Sequence, residues 1–373
     1  MRPVLAFFAT CSICLAAAAA STHACAGALR LENAHRAMWK MHDALSLKAG
    51  KRGSFNQGTA FAIGPKRMLT AFHLLLGFVE PDGAPGHIED HIEFVRTHVE
   101  ESRALRVKRV RAVDLAHDLA LLETEKGAGG YLDFADGDLP APDERLNILG
   151  YRGRAFAWMK PARGVAYAND FFFLVPTGTS ELKGLSGGAL VTGEGRVAGM
   201  AFYANANMLF AVRPRHIRSF AAGKTGTRCD LRPNLNACLM AGVEDVRRMA
   251  ANGHLLAQFE LGRDNSFVTR IDKGTEPNVA LLERAADRGL AWAAFKLAFR
   301  YIRGIGVGKD LGEAFRYIER AAKQGFPPAM YWAGRFLGNG WGVPKTPALG
   351  DYWMSRAAGS GYAVAETDPK RDR

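Results

Sequence analysis

Arg248-Met249-Ala250-Ala251-Asn252-Gly253 recurs as Arg284-Ala285-Ala286-Asp287-Arg288-Gly289, as Arg320-Ala321-Ala322-Lys323-Gln324-Gly325 and as Arg356-Ala357-Ala358-Gly359-Ser360-Gly361. The four starts lie 36 residues apart. A fixed period of this length is the signature of a solenoid, whose units bury their apolar faces only against neighbouring units. Other columns keep the phase. Ala257, Ala293 and Ala329 align, as do Phe259, Phe295 and Tyr331, and Gly262, Ala298 and Gly334 are small where two helices must approach closely. Gly304-Ile305-Gly306-Val307 matches Gly340-Trp341-Gly342-Val343, a turn that can use the positive φ angles only glycine adopts cheaply. Each unit is therefore predicted as a helix, a glycine turn and a second helix. The first unit departs from this, because Asp264 to Thr275 lacks the Gly-x-Gly-Val turn.

The preceding half has a different grammar. Met38, Trp39, Met41 and Leu45 suggest a short amphipathic lead-in, followed by Gly58 to Gly64, a turn at Pro65-Lys66-Arg67, and Met68 to Ala71 running into His73. Pro81 to His87 is read as a loop. Ile92 to Val99, Leu105 to Val113, Leu119 to Glu123, Leu146 to Tyr151, Gly164 to Ala168 and Phe171 to Val175 are strand candidates. Ala189 to Val191, Val197 to Tyr203 and Met208 to Val212 complete the set, and Ile217 to Ala222 begins a closing helix. Many short strands with glycine turns predict an all-β sandwich or barrel.

The ends and the charge set the wider context. Arg2, the apolar run Val4 to Ala20 and Ala24-Cys25-Ala26 read as an export signal over residues 1–26. The competing reading is an uncleaved anchor, since the run approaches the length of a membrane span; no other stretch could span. Cleavage after Ala26 would leave Cys229 and Cys238 of the five cysteines, a close pair that predicts a disulfide in an exported protein, the alternative being two free thiols. A net charge of +12 favours acidic partners. Its densest cluster, Arg103, Arg106, Lys108, Arg109 and Arg111, alternates with Leu105, Val107, Val110 and Ala112. That pattern predicts the wet face of a strand and argues against a nucleic-acid role.

Three motifs carry chemistry: Leu69-Thr70-Ala71-Phe72-His73, then His117-Asp118-Leu119-Ala120-Leu121-Leu122, then Gly184-Leu185-Ser186-Gly187-Gly188. A serine hydroxyl needs a base within hydrogen-bond reach, neutral histidine is such a base, and a buried carboxylate fixes its tautomer. The reading is Ser186 as nucleophile, His73 as general base then acid, and Asp118 as the orienting acid. Backbone N–H groups must also converge on the oxyanion of the tetrahedral intermediate, and the resemblance of these motifs to trypsin-like serine proteases implies Gly184 and Ser186 as those donors. Any one motif alone is weak. Ser-Gly-Gly is common in turns, a lone histidine on an apolar stretch is more often core, and an aspartate before a strand is often a turn residue. His117 is expected to face solvent.

The three motifs together, in the order His, Asp, Ser, resemble trypsin-like serine proteases on the chymotrypsin fold. The resemblance is nearest to the bacterial branch of the high-temperature-requirement proteases and spans about Gly53 to Phe220, with Leu209 to Pro214 resembling its last strand. Phe72 stands where a small residue is usual, Leu185 where animal enzymes carry aspartate, and Ala189 where proline is frequent. Leu185 implies that activation by a freed N-terminus is not used. By position, Ser180 is expected near the base of the primary pocket with Ala201-Phe202-Tyr203 along one side. With no acid at that place, the expected side chain before the scissile bond is uncharged and small or medium. The repeats resemble the Sel-one-like repeat, a relative of the tetratricopeptide repeat, over about Gly242 to Ala363.

The resulting organisation is a multi-domain chain: a signal peptide at 1–26, a double β-barrel protease domain at 27–222, a linker with Cys229 and Cys238 at 223–241, an all-α solenoid at 242–363 and a polar tail at 364–373. The function expected is an exported serine endopeptidase, periplasmic or secreted, acting on proteins or peptides. Its repeats would recognise a protein, with no cofactor, metal, nucleic acid or membrane span after cleavage. The rival is an inactive or latent protease-like scaffold; a lipase or esterase is disfavoured by motif order.

Overall fold

The computed structural model describes residues 30–43, 58–78, 92–95, 104–138, 145–152, 155–165, 171–175, 184–205, 208–230, 232, 234–264, 266–273 and 275–362. A 3-10 helix, Leu31–Ala37, leads into β1 (Met38–Asp43), so the expected lead-in is a strand. β2 (Gly58–Gly64), β3 (Arg67–Ala71), β4 (Ile92–Val95), β5 (Ala104–Asp114) and β6 (Leu119–Thr124) follow. They pair in the order β5-β4-β1-β2-β3-β6, and β5 also pairs with β6, which closes the ring. The burial of β5 alternates along its basic stretch, with Leu105, Val107 and Val110 inward and Arg106 and Lys108 outward. Glu123 of β6 lies opposite and pairs with Lys108, Arg109 and Arg111. From Arg106 to Arg111 the cationic cluster is thus a solvated strand face, and Arg103 lies outside the described residues.

The second barrel is closed, in the order β10-β11-β12-β9-β8-β7. Its strands are β7 (Arg145–Arg152), β8 (Ala155–Val165), β9 (Phe171–Val175), β10 (Ala189–Val191), β11 (Val197–Asn205) and β12 (Met208–Val212). β8 starts well before the expected Gly164, and residues 166–168 lie outside the described ones. Pro161 disguised the strand, because proline cannot donate to a ladder. Pairing with β7 tolerates it through a register shift between Leu146 and Ile148, opposite Ala162 and Met159. Helix α1 (Pro214–Ala221) closes the β region.

A short strand, β13 (Thr227–Arg228), adds to the edge of β5. A disulfide joins Cys229 to Cys238 with an S–S distance of 2.05 Å. Eight helices follow among the described residues: α2 (Leu235–Ala251), α3 (Leu255–Gly262), α4 (Phe267–Ile271), α5 (Val279–Asp287), α6 (Ala291–Arg303), α7 (Leu311–Lys323), α8 (Pro327–Asn339) and α9 (Pro347–Gly359). Their boundaries follow local chemistry. Asn234, Asn278 and Asp310 cap α2, α5 and α7 by accepting the N–H three residues on. Gly253, Gly289, Gly325 and Gly361 all have positive φ, as do both glycines of each Gly-x-Gly-Val turn. A Cβ on Gly262 would lie 2.6 Å from that of Leu282, which explains the small-residue column. Where the first unit lacks its glycine turn, the chain forms the extra helix α4. One apolar core runs from Trp39 and Phe61 in the first barrel to Phe326 and Trp353 in the repeats.

Candidate active site

Asp118 ends the turn from β5 to β6 and is the one non-glycine among the described residues with positive φ, at 58°. Aspartate tolerates that conformation better than most residues. The turn aims three acceptors at one segment. The Asp118 carbonyl accepts the Phe72 N–H at 3.0 Å, Oδ1 accepts the His73 N–H at 2.8 Å, and Oδ2 lies 2.7 Å from His73 Nδ1. Asp118 is 3 % exposed, whereas the His73 side chain keeps 25 %. An ionised carboxylate only accepts, so this bond puts the imidazole proton on Nδ1 and leaves Nε2 as the basic nitrogen.

The serine loop is stitched to the first barrel by one threonine. Thr59 of β2 donates its N–H to the Ser186 carbonyl at 2.8 Å and its hydroxyl to the Gly184 carbonyl at 3.3 Å. The same hydroxyl accepts the Tyr151 N–H of β7 at 2.8 Å. Thr70 of β3 secures the arrangement by donating to the Thr59 carbonyl at 2.7 Å. The approach is so close that a Cβ on Gly187 (φ 79°) would lie 2.0 Å from that carbonyl, and one on Gly188 would lie 2.6 Å from the Leu149 carbonyl. Leu185 points the other way, fully buried in the second barrel with Leu146, Ile148 and Leu190. Aspartate there would be an unpaired buried charge.

Ser186 Oγ donates to the Phe202 carbonyl at 3.3 Å. Among the described residues, the N–H groups of Gly184 and Ser186 have no protein acceptor. Of the expected pocket, Ser180 lies outside the described residues. Ala201 is fully buried in the second barrel, and its carbonyl accepts the Gly187 N–H at 2.6 Å. Phe202 is 7 % exposed and Tyr203 40 %. Both rings are turned toward the repeats, at 6.0 and 5.6 Å from Trp292 of α6.

His117 does not face solvent. It is 4 % exposed, with Nδ1 2.9 Å from Asp114 Oδ2. Its ring is stacked on His216 of α1 at 4.3 Å and edge-on to His254, the cap of α3, at 5.6 Å. Burial pushes the Asp114 carboxyl up, but the charge and hydrogen bonds of His117 prevail and hold it below the ordinary range. This second His–Asp pair braces the turn that carries Asp118. Sequence reasoning missed it because a histidine beside the turn aspartate has no periodic signal, and its neighbours come from helices far along the chain.

It also missed the repeat residues around the site. Phe267 of α4 meets Phe72 edge-on, with ring centroids 5.4 Å apart. Phe72 is fully buried, so the large residue before His73 is one of the points where the repeat region packs on the first barrel. Thr59 was equally unmarked; its only signal was a hydroxyl in an otherwise apolar strand.

Residues 58–200 match the trypsin-like peptidase domain family, and 293–326 and 327–362 each match the Sel1 repeat. The chain thus carries a trypsin-like peptidase domain followed by Sel1 repeats, the architecture of a peptidase with a repeat region. Among solved structures it is similar to the active form of the Rv3671c protease from M. tuberculosis, at 20% identity and TM-score 0.41 over 53% of this chain and 85% of that one. It is also similar to the serine endoprotease from Yersinia pestis, at 16% identity and TM-score 0.39 over 52% of this chain and 64% of that one. The Sel1 repeat protein from Oxalobacter formigenes is 36% identical over 34% of this chain and 96% of its own, with TM-score 0.31.

Proposed function

We propose that the chain is an exported serine endopeptidase in which His73, Asp118 and Ser186 form the catalytic triad. The observation that carries this reading is the pair of hydrogen bonds that Asp118 accepts from one histidine, Oδ1 from the backbone N–H and Oδ2 from Nδ1. That clamp leaves His73 Nε2 free to take the Ser186 proton as Oγ attacks the carbonyl carbon of the scissile peptide. The oxyanion that forms is held by the N–H groups of Gly184 and Ser186. His73 then returns the proton to the leaving amine, giving an acyl-enzyme that a water hydrolyses by the same two steps. Export is supported by the leader over residues 1–26 and by the Cys229–Cys238 disulfide. The resemblance of Leu209 to Pro214, which begins within β12, to the last strand of the high-temperature-requirement branch is what supports that branch.

A second reading has its own observation. The Ser186 hydroxyl is bonded to the Phe202 carbonyl, as suits a latent enzyme or a scaffold. Incubating the mature chain and its Ser186→Ala variant with unfolded casein decides between them, with a serine-reactive fluorophosphonate as a second readout. Cleavage and labelling by the wild type alone, with both proteins equally folded, is the expected result. Neither cleavage nor labelling would favour the scaffold.

A further inference from the structure

A cleft of about 390 Å³ opens between the end of α3 and helices α5 and α6. Its walls carry the four cations Arg263, Lys296, Arg300 and Arg303 beside the rings of Phe295 and Phe299, and Asp264 is the only acid among its described lining residues. Lys296, Arg300 and Arg303 follow at i, i+4 and i+7 on α6, so they share one helix face. Arg300 is paired with Asp264 at 2.6 Å, and Arg263 with the buried Glu260 at 2.7 Å. Lys296 and Arg303 make no ion pair among the described residues. Lys296 as a residue stays open to solvent, yet lost hydration and then repulsion from Arg263 hold its ammonium below the ordinary lysine range. An anion arriving there would offset the repulsion and favour the charged ammonium.

Two or three aromatic rings connect the cleft to the candidate active site. The Arg263 guanidinium lies over Phe267 at 5.1 Å and over Phe259 at 5.6 Å. Phe267 abuts Phe72, the neighbour of His73. Phe259 abuts Trp292 at 5.1 Å, and Trp292 abuts Tyr203 and Phe202 on β11, whose carbonyl holds Ser186 Oγ. Arg263 is near enough to Tyr203 for its charge to act on that phenol. Past Met200, β11 has only β12 as a strand partner among the described residues. An extended peptide can add to its other edge and run from Ser186 toward the repeats.

We infer that this cleft is a subsite of the peptidase for acidic side chains: carboxylates of the substrate strand, upstream of the bond to be cut, dock on Lys296 and Arg303 beside Arg300 and Arg263. The inference rests on the endopeptidase reading above. It makes the repeat region a selector of acidic stretches in extended chains, with the Phe295 and Phe299 rings receiving the aliphatic stems.

The test uses the full mature chain and two amidated fluorescent peptides with the same residues around the cut. One carries three glutamates upstream and the other three glutamines. The expected kcat/KM ratio of the two peptides is about tenfold in favour of glutamate, as suits a few partly exposed charge pairs, and it shrinks at high salt. In the double variant Lys296→Ala/Arg303→Ala the ratio falls toward one, and in Lys296→Arg/Arg303→Lys it returns. Binding of the same peptides to Ser186→Ala, followed by fluorescence anisotropy, reads the subsite without catalysis. A glutamate preference in binding with no cleavage of either peptide keeps the subsite and sinks the endopeptidase reading. Cleavage of both peptides at equal rates, with equal binding, overturns the subsite and leaves the endopeptidase standing. A preference for a free terminal carboxylate over internal glutamates, tested with the unamidated glutamine peptide, also overturns it.

Discussion

The ring of Phe267, on the one helix that breaks the repeat pattern, stands edge-on to Phe72, the residue before His73, at 5.4 Å between centroids. The repeat region therefore buttresses the strand end that delivers the histidine. Phe267→Ala removes a partly buried ring, which should cost about 1–3 kcal/mol of stability, less than a fully buried phenylalanine. It should also lower kcat by several-fold through a less firmly held His73. Thermal melting and steady-state kinetics on one peptide check both, and an unchanged kcat would mean the contact is structural only.

Asp118 holds His73 by two bonds, only one of which needs the carboxylate as acceptor for the ring. Asp118→Asn keeps the shape and reverses the preferred tautomer, so kcat should fall on the order of 10⁴-fold. The rate of fluorophosphonate labelling should fall with it. Labelling at the wild-type rate would remove Asp118 from the triad.

Thr59 joins the serine loop to both barrels through a single hydroxyl. Thr59→Val leaves the Gly184 carbonyl without its donor and the Tyr151 N–H without its acceptor, a loss of about 1–3 kcal/mol if nothing replaces them. Because Gly184 bears an expected oxyanion donor, kcat should fall about 10- to 100-fold while KM changes little. Thr59→Ser restores the hydroxyl and should rescue activity. Failure of that rescue would show that the methyl group, not the hydrogen bonds, matters.

Glu123 faces Arg109, Arg111 and Lys108. The Arg109 hydrogen bond, against some desolvation and aided by Arg111, brings its carboxyl down to about 2 from 4.5. A carboxyl whose pKa is depressed by folding binds its proton more readily unfolded, so its stabilising effect is full above the unfolded value and is lost as pH falls. Wild type should melt above Glu123→Gln at pH 6. The difference should shrink from about pH 4.5 downward and be gone near pH 2, as followed by melting temperature. A difference that persists at pH 2 would exclude the ion-pair explanation.

Much of this protein was legible as text. The 36-residue phase, the glycines with positive φ and the caps are local, since φ preferences and helix ends depend on residues a few positions apart. The strands of both barrels were legible where apolar residues alternate, and β8 was not, because Pro161 breaks the pattern that pairing with β7 restores. The three motifs were legible because each has a type of residue its chemistry requires. His117 was read wrongly: its burial depends on His216 and His254, which no local rule connects to it.

The amino-acid sequence by itself determined a β-rich half, a helical repeat half, and the histidine, aspartate and serine in their order. Only the tertiary structure decided that the repeats pack on the residue before His73, that Thr59 holds the serine loop, and that three cations of α6 and one from the end of α3 face one cleft. These are contacts between segments far apart in the chain. They arise when two apolar faces close on each other, and burial of surface is non-directional, so no spacing in the sequence encodes which faces meet.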